Sequence, residues 1–565
     1  MFKKYLIIFG VGVSYLVGIL SPFHIIPNSF DLFIGLQMSA ILAFVLVIDL
    51  YIHRDKNIKL SVSSLAWVLI ALLIAIQPLL NNILYPDSLI FPVGYCFILA
   101  FVVMAIRQIV DNEKEGREIL CYIFSIFLLI GGFITSIILW LQLFSVNMPF
   151  VVVLKGNKPL GNIIQPNQTA FVLCLAIVSV LYLKDKLSGW NKINFIYLFI
   201  LAIGIALTAS RSGFFIMLVI PLFYNIIINK NLKYCWIQWG LTSFILIIGY
   251  LLGIYLFNQL VFESSGNTFF RLANEMKPIE ERYFLQNLAY HLFLDHLILG
   301  SGWGNYTKGA FDYALQDNWL ILTYHSHIFI TQIAAELGLL GLLIFIPLVW
   351  IIYKNINFRM KTVQAFPITV VIIMIIYSMS EFPLWYLRFS LIFAVSLGLV
   401  DIGLTKWNLK YNLLIGGICM ILGVFSIYYA KQYLKYNRYT ELTYANQLST
   451  KQISQLENVF GFSEYKEQLL YYSLPLDNYL LEQKIALGNR VLSKLPIISF
   501  VEKQAIYYAL NGEEQRSLEL FKKGCLIDYK INCMKIEKDL KENTKINYKI
   551  FGNIYIDFIE WRKNN

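Results

Sequence analysis

The polar residues of this sequence that packing least explains stand beside long apolar runs. The segment Gly161-Asn162-Ile163-Ile164-Gln165-Pro166-Asn167-Gln168 sets four carboxamides at the edge of one such run. Pro166 and Asn167 suit a helix start, but a helix start does not require the other amides. Thr208-Ala209-Ser210-Arg211-Ser212-Gly213 places an arginine between two apolar runs. That placement is costly unless the guanidinium faces water or an anion; snorkelling to headgroups is the alternative reading. A long polar stretch carries Arg271, Glu280, Glu281 and Arg282, passes through Gly300-Ser301-Gly302-Trp303-Gly304, and ends on Tyr324-His325-Ser326-His327. Finally, Glu381-Phe382-Pro383-Leu384-Trp385-Tyr386-Leu387-Arg388 reads as an interfacial loop with aromatic-belt residues, with Glu381 at the apolar edge left over.

Two or three arginines, a histidine and amides on one side of a membrane suit a diphosphate-linked substrate. Arginine's planar fork binds phosphate oxygens in pairs and keeps its charge. A lipid diphosphate gains negative charge as it leaves, so fixed cations favour the transition state over the ground state. Histidine, titrating near neutrality, can take the proton of an attacking hydroxyl. This cation set supplies the charge without a metal or other cofactor, and no Asp-rich metal motif stands out. His325 and His327 point to opposite faces of a strand and lie about 200° apart on a helix, so they are not expected to act together on one ligand. A zinc site would also need further ligands at regular spacing.

The surrounding elements follow from composition. Of 565 residues 58% are hydrophobic and 14% charged, and mean hydropathy is +0.63, more apolar and less charged than a soluble domain of this size. About 12–13 apolar stretches are long enough to be transmembrane helices, near 4–21, 31–51, 61–80, 89–106, 118–145, 168–183, 193–209, 213–229, 237–257, 326–353, 363–380, 388–403 and 411–430. Only Ala209-Ser210-Arg211-Ser212 divides the seventh from the eighth, which leaves their separation open. With a cytoplasmic N-terminus, most loop lysines and arginines fall inside, and only Lys155, Lys158, Arg211 and Arg388 fall on the short outer loops. That is the asymmetry of the positive-inside rule, and it also accounts for the net charge of +11 without nucleic acid. The expected fold is therefore an all-α polytopic integral membrane protein. Its parts are a transmembrane region over 1–430 with a large outer loop at 258–325, and a helical domain over 431–565 on the same outer side. In that last domain Asn511-Gly512 reads as a turn between two helices. Cys525 and Cys533 lie there too, either as a disulfide or as two thiols.

These motifs, in this order, resemble the O-antigen ligase superfamily, most closely its PglL-type protein O-oligosaccharyltransferases. The resemblance covers most of the chain: Gly161–Gln168, Thr208–Gly213, Arg282 to Trp303, His327 through Gly338-Leu339-Leu340-Gly341, and Glu381–Tyr386. The ligase signature is His, then Asn, Ser or Gln, nine residues, and Gly-x-x-Gly. Counting from His327, nine residues separate Ile328 from Gly338, so His327 rather than His325 occupies the catalytic position; Ile328 departs from the pattern. The resemblance implies en bloc transfer of an oligosaccharide from undecaprenyl diphosphate to Ser or Thr hydroxyls of periplasmic or pilin proteins, at the bacterial inner membrane. Arg211 and Arg282 would hold the donor diphosphate, with Arg271 as a further cation. His327 would activate the acceptor hydroxyl. Gln165, Asn167, His325, Glu381 and Tyr386 would bind substrate or support the site. Ligation of O-antigen to lipid A-core and repeat-unit polymerisation are the alternatives within the superfamily. A lipid-linked sugar transporter, the alternative outside it, would show mid-bilayer polar sites or inverted repeats.

Overall fold

The computed structural model describes every residue except 1, 26–30, 55–57, 82, 153–158, 188–192, 229–230, 261–276, 319, 321, 356–359, 402, 410–411, 446–451, 453–454, 528 and 565. Its helices run α1 Leu6–Leu20, α2 Leu32–Ile52, α3 Val62–Leu80, α4 Ile90–Asn112, α5 Gly116–Leu143, α6 Pro166–Lys186, α7 Ile193–Leu207, α8 Arg211–Ile228 and α9 Leu232–Leu260. They continue with α10 Lys277–Asp295, α11 Tyr306–Asp317, α12 Phe329–Asn355, α13 Thr362–Ser378, α14 Leu387–Val400 and α15 Asn412–Tyr444. The last six are α16 Ser463–Ser473, α17 Leu481–Leu492, α18 Ile498–Leu510, α19 Glu514–Leu526, α20 Tyr529–Ile546 and α21 Tyr548–Asn564. Two short strands, β1 Ile58–Ser61 and β2 Gly403–Leu409, pair antiparallel with Ile58 opposite Leu409.

The protein is an all-α polytopic membrane protein, as expected. Among the described residues ten helices are long and apolar enough to cross a membrane. The three other sequence candidates are the shorter apolar helices α7, α13 and α14. At 15, 17 and 14 residues and 1.5 Å per residue, these fall short of the roughly 30 Å hydrocarbon core. The seventh and eighth candidates are separate helices, because the chain turns at Ala209 with φ +53°.

The chain forms two compact units. Met1–Leu72, Pro92–Met276 and Leu343–Lys431 make the first; Leu73–Phe91, Lys277–Leu342 and Gln432–Asn565 make the second. In the first unit α6 is the central helix, packed by α5, α7, α8 and α13 and buried from Gln168 to Leu183. Its start is fixed locally. Gln165 is the N-cap, its side chain accepting from the Gln168 N–H at 2.6 Å, and Pro166 follows with a pre-set φ. Phe171 stacks on Tyr377 of α13 at 4.1 Å between centroids. Gly213 lets α8 approach, since a Cβ there would stand 2.5 Å from the Ala170 Cβ.

In the second unit the helices of the long loop share one core with the C-terminal helices. Leu285, Leu288 and Leu292 of α10 and Tyr306 and Phe311 of α11 lie in the same buried cluster as Tyr471, Val501, Tyr507, Phe521, Ile536 and Phe558. The loop and the region beyond residue 430, divided in the sequence by their span content, are thus packed as one body. Asn511-Gly512 forms the expected turn between α18 and α19, with Gly512 at φ +79°. Cys525 of α19 and Cys533 of α20 are bonded as a disulfide.

Candidate functional site

The expected site residues lie in both units. In the first unit, Asn167 ties three segments together. Its Nδ2 donates to Glu381 Oε1 at 2.5 Å, and its Oδ1 accepts from Ser210 Oγ at 2.7 Å. Ser210 Oγ also accepts from the Gly213 N–H at 3.1 Å, closing the first turn of α8, where Arg211 is half-buried. One residue on, Gln168 Oε1 accepts from Arg388 at 2.8 Å. Arg388 also donates to Gly18 O at 3.0 Å and is ion-paired with Asp31. Beyond Asp31 stands His24, 3.4 Å away, whose Nε2 meets Asn162 O at 2.5 Å. Tyr386 lies under the Arg388 guanidinium, 4.9 Å from its ring centroid. Burial alone would raise the Asp31 carboxyl, but Arg388 and His24 outweigh it and hold it below the ordinary carboxylate range. Burial would likewise lower His24, yet Asp31 and the Asn162 carbonyl raise it.

Arg388, 2% exposed, is therefore a structural cation. Removing one partner of a buried ion pair leaves the other uncompensated, at about 3–5 kcal/mol. Arg388→Met is expected to lose most detergent-extractable folded protein, and Arg388→Met with Asp31→Leu to recover part of it. Size-exclusion profiles of the two variants check this, and an equal loss in both would contradict the pairing.

In the second unit, the turn before α12 brings His325 and His327 together, their rings 4.3 Å apart and nearly perpendicular. The expectation that the two would face apart is corrected here. It assumed strand or helix, whereas His327 has φ +63°, and this left-handed residue swings both rings to one side. The turn is held on several sides. Gln286 of α10 donates to Ser326 O at 2.5 Å, Gln332 Oε1 accepts from the Ser326 N–H at 2.6 Å, and Ser326 Oγ reaches Ile328 O at 2.9 Å. Burial and the neighbouring His327 push His325 down to about 2. Burial, with the positive charge of Arg282, pushes His327 down to about 4. His327 is half-buried and Arg282 exposed.

The Gly-x-x-Gly pair acts on the backbone. Gly338, at φ +63° and ψ −158°, breaks α12 in mid-run, and the broken turn pairs with the segment after α10. The Leu339 N–H donates to Leu297 O at 2.8 Å and the Ser301 N–H to Ala335 O at 2.8 Å. Gln77 of α3 joins them, donating to Glu336 O at 2.8 Å and accepting from the Trp303 N–H at 2.8 Å. Glu336 accepts from the Gly304 N–H at 3.0 Å, and Lys494 donates to Gly304 O at 2.6 Å.

Arg271 lies outside the described residues. Of the other expected residues, the structure joins Gln165, Asn167, Glu381 and Tyr386 into the first network, with Arg211 beside Ser210. It joins Arg282, His325 and His327 in the second unit. Sequence reasoning missed Gln168, Arg388, Asp31 and His24 as partners, since nothing local links positions so far apart. It also missed Gln77 and Glu336, although an ionisable or amide side chain inside an apolar run is itself a signal.

This geometry defines a polytopic membrane protein with two polar networks, one of them ending in a histidine turn beside an arginine. Residues 196–346 match the family model described as O-Antigen ligase, and residues 366–524 match the one described as Virulence factor membrane-bound polymerase, C-terminal. The chain belongs to the O-antigen ligase superfamily, whose membership makes it a membrane enzyme of glycan transfer acting on a lipid-linked glycan. No curated protein and no solved structure matches it significantly. The first match takes in Arg211, Arg282, His327 and Gly338, the second Glu381, Tyr386 and Arg388; Gln165 lies outside both.

Proposed function

We propose that the protein transfers oligosaccharide from undecaprenyl diphosphate to Ser or Thr hydroxyls of periplasmic or pilin proteins at the inner membrane. The observation that carries the mechanism is the half-buried His327 imidazole, set on its left-handed turn 4.3 Å from the His325 ring, where burial and the positive charge of Arg282 favour its neutral form. A base must be unprotonated to accept a proton, and a cation beside it suits the leaving diphosphate. The acceptor oxygen attacks C1 of the first sugar, and its proton passes to His327. The C1–O bond to the diphosphate breaks, its electron pair leaves with the lipid diphosphate, and Arg282 takes up the growing charge. Arginine supplies this charge without a metal. Arg211 enters the reading through the family resemblance alone.

The direct test is expression in a Gram-negative host carrying a lipid-linked glycan and a pilin acceptor. The expected result is a glycan-sized mass increase on the pilin. The match to polymerase C-terminal regions favours a second reading, repeat-unit polymerisation. A ladder of lipid-linked chain lengths with unmodified pilin would establish it instead. Glycan found on lipid A-core would assign ligation.

The histidine also fixes a pH dependence. With the folded value of His327 lowered to about 4, the base is present above that pH and is lost as pH falls through it. The free-enzyme kcat/KM is expected to be flat from about pH 8 to about pH 5 and to decline below that. Arg282→Gln removes a repelling positive charge, makes the imidazolium easier to form, and should move this acid limb upward. A limb unmoved in the variant would separate Arg282 from the base.

A further inference from the structure

The second unit contains a cavity of about 480 Å³ that His325, His327 and Arg282 do not line. It is lined by Leu80 and Asn81 at the end of α3 and by Leu292 and His296 at the end of α10. One face of α11 lines it as well. Lys308, Asp312 and Gln316 recur at the i, i+4 spacing of neighbours on a helix surface, with Tyr313 beside them. Gly309 brings the two helices together, since a Cβ there would stand 2.6 Å from the Leu292 Cδ2.

The lining has a definite chemistry. An ammonium, a carboxylate, three carboxamides, an imidazole, a phenol and a hydroxyl supply both donors and acceptors, next to an aromatic ring and leucine side chains. A pyranose needs this mixture: each hydroxyl both gives and accepts a hydrogen bond, while the ring C–H face lies on an apolar surface. A lipid phosphate fits less well, because Asp312 stands in the wall and is ion-paired with Lys308. A lipid tail would cover charged and amide side chains without offering them any hydrogen bond.

Position adds a second constraint. Gln286 of α10 is bonded to the histidine turn. Leu292, six residues further along the same helix, lies about 9 Å away along its axis. A saccharide reaching from the turn into the cavity is therefore an oligosaccharide. We propose that the cavity is a subsite for an internal sugar of the donor glycan, lying beyond the sugar whose bond breaks, and that it selects donors by glycan length and identity. This deepens the transfer reading above and rests on it.

The test uses the full chain in nanodiscs and two exposed-position variants, Asp312→Asn and Gln316→Ala, neither in the transfer machinery. Donors carrying the whole glycan are compared with donors carrying only the first sugar. For the whole-glycan donor KM should rise about five- to tenfold, as the loss of one or two hydrogen bonds predicts, with kcat unchanged. The single-sugar donor should be unaffected. In a second arm, glycan released from the donor by mild acid, which cannot be transferred, is titrated into wild type and variants. Its affinity should fall by the same factor. No change in either arm, or an equal loss for both donors, would overturn the subsite. If wild type transfers nothing but binds released glycan in a variant-sensitive way, the transfer reading fails and the subsite stands.

Discussion

Replacing His327 with alanine is expected to cut glycan transfer by about 10²- to 10⁴-fold, the usual contribution of a positioned general base, at unchanged membrane abundance. Abundance should hold because the turn is built by others: Gln286 and Gln332 grip the Ser326 backbone, and Ser326 Oγ bonds Ile328 O. The backbone is no new obstacle, since His327 is already a non-glycine residue at φ +63°. The measurement is the glycosylated fraction of a co-expressed acceptor, normalised to immunoblotted enzyme. Full activity in His327→Ala would remove this residue from the chemistry. His325, its ring 4.3 Å away, would then be the next imidazole to replace.

The second large effect falls on folding. At Gly338 an added Cβ would lie 2.5 Å from both Gly300 N and Ile298 O, backbone atoms that cannot step aside as a flexible side chain would. The φ of +63° and ψ of −158° also belong to a region open essentially to glycine alone. Gly338→Ala should therefore lose the folded protein, and with it activity, rather than slow the chemistry. Gly341→Ala meets mainly side-chain atoms of Leu337 and Ile333 and should be milder. Fluorescence-detected size-exclusion of detergent extracts separates the cases: a monodisperse, wild-type-like peak for Gly338→Ala would refute the assignment.

Much of the architecture was legible because the bilayer imposes a simple rule. A run of about twenty apolar residues has few fates besides a helix, so every sequence candidate corresponds to a helix. The shortness of α7, α13 and α14 was less visible, because apolarity does not report where a helix breaks. The turn at Ala209 shows this: the polar cluster marked it, but only backbone geometry separated α7 from α8. The candidate site residues stand out by type, and their partners do not. Asn167 stood out as a surplus amide, yet its bonds to Glu381 and Ser210 join positions 214 and 43 residues apart. The histidine pair was misjudged because both regular periodicities fail at a left-handed residue.

The common core of the loop helices and the C-terminal helices bears on how the chain is made. Phe311 and Phe521 belong to one buried cluster but stand 210 positions apart (521 − 311). At translation rates of about 5–20 residues per second, α11 waits roughly 10–40 s for the partner that covers it. Throughout that interval the growing chain carries an unfinished apolar surface. A message cut short after residue 430 would not yield a working membrane half lacking an accessory domain; it would yield α10 and α11 stripped of the surface they fold against.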